Sequence, residues 1–425
     1  MAGRLDADVV VVGAGLVGAA CALRLARDGR EVLLLDAQAP GLGASFGNAG
    51  HVATEQIFPL ARAEVIRASW RYLLAADSPL RLRAAYLLPI LPWLARFVWA
   101  ARPAGFARAV AALVALQKTS LADLSELLAH AGIGKLLHAD GYLRVWESPA
   151  GERAAMGQAA RLRPYGVASD VVGLAAVQRA APGISPRILG GILYPDTAHV
   201  DDPHAVCIGL TAALLRAGGR VQQARVLALG QGRDGPVRIT LENALPLQCS
   251  RLVLCAGAWS RPLAASLGYR VPLDTERGYH ITLPWQSGAG ARGDPGRIAQ
   301  PIASVERSVI MTPMAMGLRM TGTVEFGGLQ LPPDQRRFAL LKAQMQALLP
   351  RMPTGQASTW MGFRPSLPDH LPVMCEAPRH KGIFFAFGHQ HLGLTLCGVT
   401  ARLMADLVQG RAPSIDLAPF HVARF

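Results

Sequence analysis

At 425 residues the chain is too long for one small core, so two domains are expected, with interleaving allowed. A composition of 51% hydrophobic and only 17% charged residues is that of a globular, rather apolar chain, and the six cysteines form no CxxC and no Cys/His ligand spacing, so no metal is expected. The net charge of +14 is almost all arginine, and no dense basic tract interleaved with aromatics is present, which argues against nucleic acid and for an anionic substrate or lipid surface.

The apolar run Val9 to Val12 has the pattern of a buried parallel strand. It leads into Gly13-Ala14-Gly15-Leu16-Val17-Gly18, then into an Ala/Leu/Arg helix that stops at Gly29, and then into a second strand, Val32 to Leu35, ending on Asp36. Such spacing suits a dinucleotide. Gly13 makes the tight turn, Gly15 admits a pyrophosphate to the backbone, and Gly18 lets helix and strand pack closely. The helix start offers free N–H groups to phosphate, and Asp36 is placed to accept from a ribose hydroxyl, which disfavours NADP. The motif starts so near the N-terminus that no cleaved leader is expected, and the cysteines read as structural thiols in a reducing compartment. The expectation is a cytoplasmic protein.

Residues 60–130 read as helical. Within them Ala84 to Ala95 carries no charge, is interrupted by Pro89 and Pro92, and is flanked by Arg81, Arg83, Arg96, Arg102 and Arg108, with Phe97, Val98 and Trp99 following. This is short of the roughly twenty residues of a spanning helix. Two readings stay open: a peripheral contact with the cytoplasmic face of the inner membrane, or a buried helix pair lining a substrate cavity.

A strand is expected over Gly141 to Trp146, then an Arg-rich helical stretch. Asp202 and Pro203 mark the start of a helix running through Leu215, closed by Gly218-Gly219. Strands follow at Arg220 to Leu229, Val237 to Leu241 and Arg251 to Cys255, with a turn at Gly232 to Gly235. The last strand runs into Ala256-Gly257-Ala258-Trp259, which reads as a return to the nucleotide domain. Residues 271–350 are strand-rich and end in an amphipathic helix, Asp334 to Leu349; Gly382 to Phe387 is a strand that leads through Gly388-His389-Gln390-His391 into a final helix.

Four separated blocks now converge: VVVVGAGLVG with SFGNAGH, LCAGAW, MGFRPSLPDHLP and GHQHLGLT. Together they resemble the D-amino acid oxidase-like superfamily of FAD-dependent oxidoreductases, with the bacterial D-amino acid dehydrogenases as the nearest branch. The resemblance implies an α/β fold. A Rossmann-type FAD-binding domain would be built from 1–65, 199–270 and 357–425. An interleaved α+β substrate-binding domain, a mixed antiparallel sheet plus helices, would use 66–198 and 271–356.

It also implies roles for residues. Gly13, Ala14, Gly15, Leu16, Val17, Gly18 and Asp36 would take the adenosine half of FAD. Ser45, Asn48, Ala49 and Gly50 would lie along the pyrophosphate and isoalloxazine, Val226 against the adenine, and Ala256, Gly257 and Trp259 on the phosphate side. Gly388, His389, His391, Leu392, Gly393, Leu394 and Thr395 would approach the flavin pyrimidine edge. Arg364 would hold the amino acid carboxylate, a task suited to a planar fork. His391 and His51 are candidates at the flavin face and Tyr279 a candidate roof over the substrate, while Glu276 or Asp274 as a base is not required.

The implied reaction is oxidative deamination of a D-amino acid, with hydride passing from Cα to flavin N5 and the imine hydrolysing to a 2-oxo acid. Electrons would leave to a quinone or another carrier. The ERGYH and GHQHLG blocks lean towards cyclic substrates such as D-proline or D-hydroxyproline. Three alternatives stand beside this reading: a glycine- or sarcosine-type amine oxidase of the same fold using O2, an NAD-dependent reductase, and a flavin-bearing subunit of a multi-protein dehydrogenase.

Overall fold

The computed structural model describes residues 5–67, 78–232, 235–285, 297–352 and 356–425. The centre of the turn expected at Gly232 to Gly235 and part of the helical stretch expected over 60–130 lie outside them.

The N-terminal apolar run forms β1 (Ala7–Val12), and α1 (Leu16–Arg27) and β2 (Val32–Asp36) follow, with β2 parallel to β1 from Val9↔Val32 to Val12↔Leu35. After a loop come β3 (His51–Val52) and β4 (Leu80–Leu82). The uncharged proline-interrupted stretch becomes α2 (Leu87–Ala100), with Pro92 inside it, and Pro103 then opens the first turn of α3 (Pro103–His130), where a missing N–H does no harm. Among the described residues no single helix is long and apolar enough to cross a membrane; only Ala84–Ala100 with Pro103–His130, bent by 86°, reaches that length and composition as a pair.

Next come β5 (Leu137–His138), β6 (Tyr142–Trp146), α4 (Pro149–Leu162), β7 (Asp170–Gly173), α5 (Leu174–Ala180), β8 (Gly190–Tyr194) and β9 (Ala198–Val200). Asp202 caps α6 (Pro203–Arg216) by accepting from the His204 N–H at 2.8 Å. The strand expected over 220–229 is two, β10 (Arg220–Gln223) and β11 (Val226–Gln231), broken at Ala224–Arg225; then follow β12 (Val237–Leu241), β13 (Leu247–Leu254) and α7 (Ser260–Ser266). The chain continues as β14 (Asp274–Leu283), β15 (Ile302–Ser304), β16 (Val309–Met314), β17 (Gly317–Phe326), α8 (Gln335–Leu348) and β18 (Ser358–Ser366). It closes with β19 (Val373–Glu376), β20 (Ile383–Phe387) and α9 (Gly393–Val408).

Two large sheets result. The first has a parallel core β10-β2-β1-β13-β20 drawn from three separated segments, with the β11–β12 hairpin and β19 antiparallel at its edges. One face is covered by α1, α3, α6 and α9 in a single apolar core; the other packs against the 263–273 segment and the chain's C-terminal residues. The second sheet, β18-β14-β17-β16-β15-β6-β8-β7, carries β4 along β17, and a small sheet β3-β9-β5 lies apart from both. Two elements sit across the expected boundaries. Strand β18, numbered with the nucleotide segment, belongs to the second sheet, and α3 buries its apolar face in the core of the first.

Candidate active site

A cleft of about 440 Å³ is lined both by the C-terminal ends of the parallel strands and by the edge of the second sheet. At its first end Gly13, with φ +109°, turns so tightly beneath Cys255 and Ala256 that a Cβ there would collide with the Cys255 carbonyl. Gly18 performs the expected packing role, since its own Cβ would strike the Gly13 carbonyl. Helix α1 starts without a capping side chain at Gly15, and Ser45 Oγ accepts from the Leu16 N–H at 3.0 Å. Asp36 Oδ2 accepts from the Ala14 N–H at 2.7 Å and Oδ1 from the Gln38 N–H at 2.9 Å, which fixes the carboxylate at the cleft rim.

A second uncapped helix start, Leu392–Gly393 of α9, opens onto the same cleft. The turn before it holds Gln390 in the left-handed region at φ +52°, and the Gln390 N–H donates to the Pro365 carbonyl at 3.1 Å, tying this turn to the end of β18. His389 and His391 line the cleft; burial pushes both down to about 3, so both rings are neutral at pH 7. His391 Nε2 faces Gln56 Oε1 at 2.6 Å, and with Nε2 donating there its Nδ1 is left as an acceptor.

The far wall is the β14–β18 ladder, where period-2 alternation decides what faces the ligand. Glu276, Gly278 and His280 pair with Arg364, Gly362 and Trp360 and share one face. Gly278 and Gly362 make a floor without side chains; Arg364 leans over the first and the Trp360 ring over the second, as a Cβ on either glycine would show by collision. Trp360 stacks on His280 with centroids 5.2 Å apart. Arg364 makes one hydrogen bond, to the Thr323 carbonyl at 3.3 Å, and among the described residues no carboxylate lies within 4.0 Å of it. Burial lowers its pKa and Glu276 opposes that shift. A largely desolvated cation with open donors therefore faces the cleft.

Of the residues expected at the site, Gly13, Gly15, Leu16, Val17, Asp36, Ser45, Asn48, Ala49, Val226, Ala256, Gly257, Trp259, Arg364, Gly388, His389, His391 and Gly393 line this one cleft. Others do not. Tyr279 is no roof: one residue out of phase with Gly278, it points to the back of the sheet, where its hydroxyl meets Glu325 Oε1 at 3.0 Å and accepts from the Asp334 N–H. His51 is not among the cleft-lining residues; its ring is tilted against Tyr142 at 4.6 Å, with Nε2 at 3.3 Å from Glu55 Oε1. Leu392 and Leu394 turn into the apolar core, and Thr395 Oγ1 accepts from the Ala53 N–H at 2.9 Å. Gly50, at φ +71°, hands its carbonyl to the Val200 N–H at 2.8 Å. Sequence reasoning missed Trp360, Gly362, Gly278 and Thr321. Counting back by twos from Arg364 along a strand would have found Trp360 and Gly362.

These features fit FAD. Two helix starts whose own N-cap residues supply no capping side chain face one cleft, and an acid sits on the lining at the end of β2, where a ribose is expected. Comparison with known proteins agrees. A family profile described as FAD dependent oxidoreductase (DAO) matches residues 8–407. The chain is 31% identical to a D-amino-acid oxidase of Bradyrhizobium diazoefficiens, covering 98% of each chain. It is also 31% identical to D-amino acid dehydrogenase 2 of Ralstonia nicotianae, over 98% of this chain and 100% of the relative. Among solved structures, glycine oxidase from Geobacillus kaustophilus superposes with a TM-score of 0.72 at 20% identity, covering 99% of both chains. L-proline dehydrogenase from P. horikoshii gives 0.72 at 15% identity, over 99% and 98%. The chain belongs to the DAO family of FAD-dependent oxidoreductases.

Proposed function

We propose that the protein oxidises D-amino acids to imines that hydrolyse to 2-oxo acids and ammonia, passing the electrons to a quinone or another carrier. The observation that supports this most is the open guanidinium of Arg364 at the end of a side-chain-free glycine floor. A planar fork in a desolvated wall is suited to a carboxylate, and it fixes the position of the adjoining Cα. The bound FAD supplies a two-electron acceptor.

The chain's own residues do the rest. Gly278 and Gly362, having no side chains, let the Arg364 guanidinium and the Trp360 ring lie close over the strands and so form the wall a substrate would meet. His389 and His391 are neutral, so neither adds a cation beside the amine, and the His391 Nδ1 acceptor can orient an amine N–H. The amine proton leaves to solvent, and no general base is required of Glu276 or Asp274. Anaerobic mixing of the holoenzyme with a panel of D- and L-amino acids, D-proline and D-hydroxyproline included, tests the reading. Flavin bleaching by D-isomers is expected; bleaching by L-isomers alone would overturn it.

A second reading has support from the relative named an oxidase at the same identity as the dehydrogenase: the same chemistry with O2 as acceptor. Rapid aerobic peroxide formation would select it. The exposed face of α2 supports the peripheral membrane contact. Leu88 is 77% and Trp99 64% exposed, Leu87, Leu91 and Val98 are also exposed, and the Arg102 guanidinium lies 3.2 Å from the Trp99 ring centroid.

A further inference from the structure

One acid faces the substrate-binding cation and is given no task by the reading above. Glu276 is the register partner of Arg364 across the β14–β18 ladder, and directly opposite residues of an antiparallel pair present their side chains to the same face. Glu276 is only 3% exposed. On its own strand stands Asp274, whose two carboxylate oxygens are each 3.0 Å from the Tyr86 hydroxyl and one of which is 3.8 Å from Arg261 of α7. On β18 stands Ser366 beside Arg364, and on β17 the register partner is Phe326, itself packed against Ile90 and Trp93 of α2. Arg364 is thus the cation directly opposite Glu276, while Arg261 is drawn to Asp274 and the other neighbours named are apolar or hydroxylic.

A ligand carboxylate arriving at Arg364 would bring a second anion to the half-buried guanidinium that Glu276 faces, with Asp274 as a third acid nearby. Like charges at such range do not both persist in a desolvated site; one takes a proton. We propose that Glu276 takes up one proton from solvent when a carboxylate binds Arg364, and returns it on release, so that the guanidinium never balances two negative charges. Burial raises the proton affinity of Glu276, with Asp274 adding to the rise and Arg364 and Ser366 opposing it, which is the direction the proposal requires. The proton forms one O–H bond on the Glu276 carboxyl and nothing is oxidised or reduced. The proposal rests on the reading that Arg364 holds the substrate carboxylate.

The test uses the FAD-loaded enzyme and benzoate, which has no group titrating between about pH 5.5 and 8.5. Calorimetry in two buffers of different ionisation heat counts protons taken up, and perturbation of the flavin spectrum gives Kd against pH. Uptake approaching one proton is expected towards the upper end of the range. Kd should fall by up to about tenfold per unit as pH drops, levelling off below the pKa of Glu276 in the free enzyme. Glu276→Gln should show no uptake, a flat Kd, and tighter binding than wild type at the alkaline end. Zero uptake with a flat wild-type Kd overturns the proposal, as does an unchanged slope in Glu276→Gln. Arg364→Ala separates the two layers. If it loses benzoate while wild type takes up no proton, only the proton linkage fails; if it binds like wild type, or wild type binds none, the carboxylate reading falls as well.

Discussion

Truncating Arg364 isolates the contact on which the proposed chemistry depends. Among the described residues the guanidinium makes only the 3.3 Å bond to the Thr323 carbonyl, so most of its donors are available to a ligand. Two charge-assisted hydrogen bonds in a desolvated wall are each worth roughly 1.5–3 kcal/mol, and truncating one side of such a pair costs about 3–5 kcal/mol. Arg364→Ala should therefore lower kcat/KM for a D-amino acid by roughly 10²- to 5 × 10³-fold, with most of the loss in KM if the contact is equally good before and during hydride transfer. Arg364→Lys should recover part of this, since a point charge replaces the fork. Folding should survive, because Glu276, already raised by burial, takes a proton once its cation is gone. Anaerobic stopped-flow bleaching, with the FAD-to-protein ratio measured on the same sample, reads both effects. A fully flavinated Arg364→Ala enzyme within about threefold of wild type would refute the assignment.

Gly13→Ala forces a Cβ into the Cys255 carbonyl at φ +109° and should yield protein purified largely without FAD, seen as lost absorbance at flavin bands with helix content retained. Glu325→Ala strands the fully buried Arg277, 2.6 Å away, and should cost about 3–5 kcal/mol in urea unfolding; a loss under about 1 kcal/mol would mean the pair is not desolvated. Burial holds His280, His370 and His389 at about 3, so below pH 6.5 the unfolded chain binds protons that the native chain does not. Stability should fall by about 1 kcal/mol per histidine between neutral pH and pH 5.5, and equal urea midpoints at pH 7.5 and 5.5 would contradict that burial. Leu88→Asp and Trp99→Asp should each weaken co-sedimentation with anionic vesicles while leaving soluble-acceptor turnover intact; wild-type protein that ignores the vesicles removes the membrane reading.

The nucleotide half was legible because its constraints are local. A buried strand, a glycine turn at φ +109°, a helix start and Asp36 fall within some thirty residues, and each demands particular residue types there. The return of residues 247–259 and 383–393 to the same cleft was legible for the same reason: apolar strands run directly into glycine turns. The substrate wall was less so, because a strand has two faces and nothing local to GYH says whether Tyr279 or its neighbours Gly278 and His280 look into the cleft. That choice is made by Glu325 and the Asp334 N–H, which lie some fifty residues away and claim the Tyr279 hydroxyl. Likewise β18 joins the second sheet because its nine residues pair along β14 from Asp274↔Ser366 to Thr282↔Ser358, a match invisible from either strand alone.

That pairing has a consequence for how the two halves work together. The 46–48 loop, which the nucleotide half presents to the cleft, is held by the substrate sheet. Arg319 of β17 donates to the Phe46 carbonyl at 3.2 Å and the Asn48 carbonyl at 2.7 Å, and His280 Nδ1 meets the Gly47 carbonyl at 3.1 Å. Three successive carbonyls thus find their partners across the junction, and the Trp360 ring sits so close to Gly47 that no side chain fits there. Among the described residues no carboxylate lies within 4.0 Å of Arg319, and burial lowers it only to about 10, so it remains charged at pH 7. A desolvated cation held by the Thr282 hydroxyl and two carbonyls, with the Asp202 charge acting on it but outside ion-pair range, contributes positive potential beside the loop, in addition to the two helix starts. A cofactor diphosphate in the cleft would offset that potential. Cofactor binding and the register of the substrate wall would then be coupled through one guanidinium, and loss of either should loosen the other.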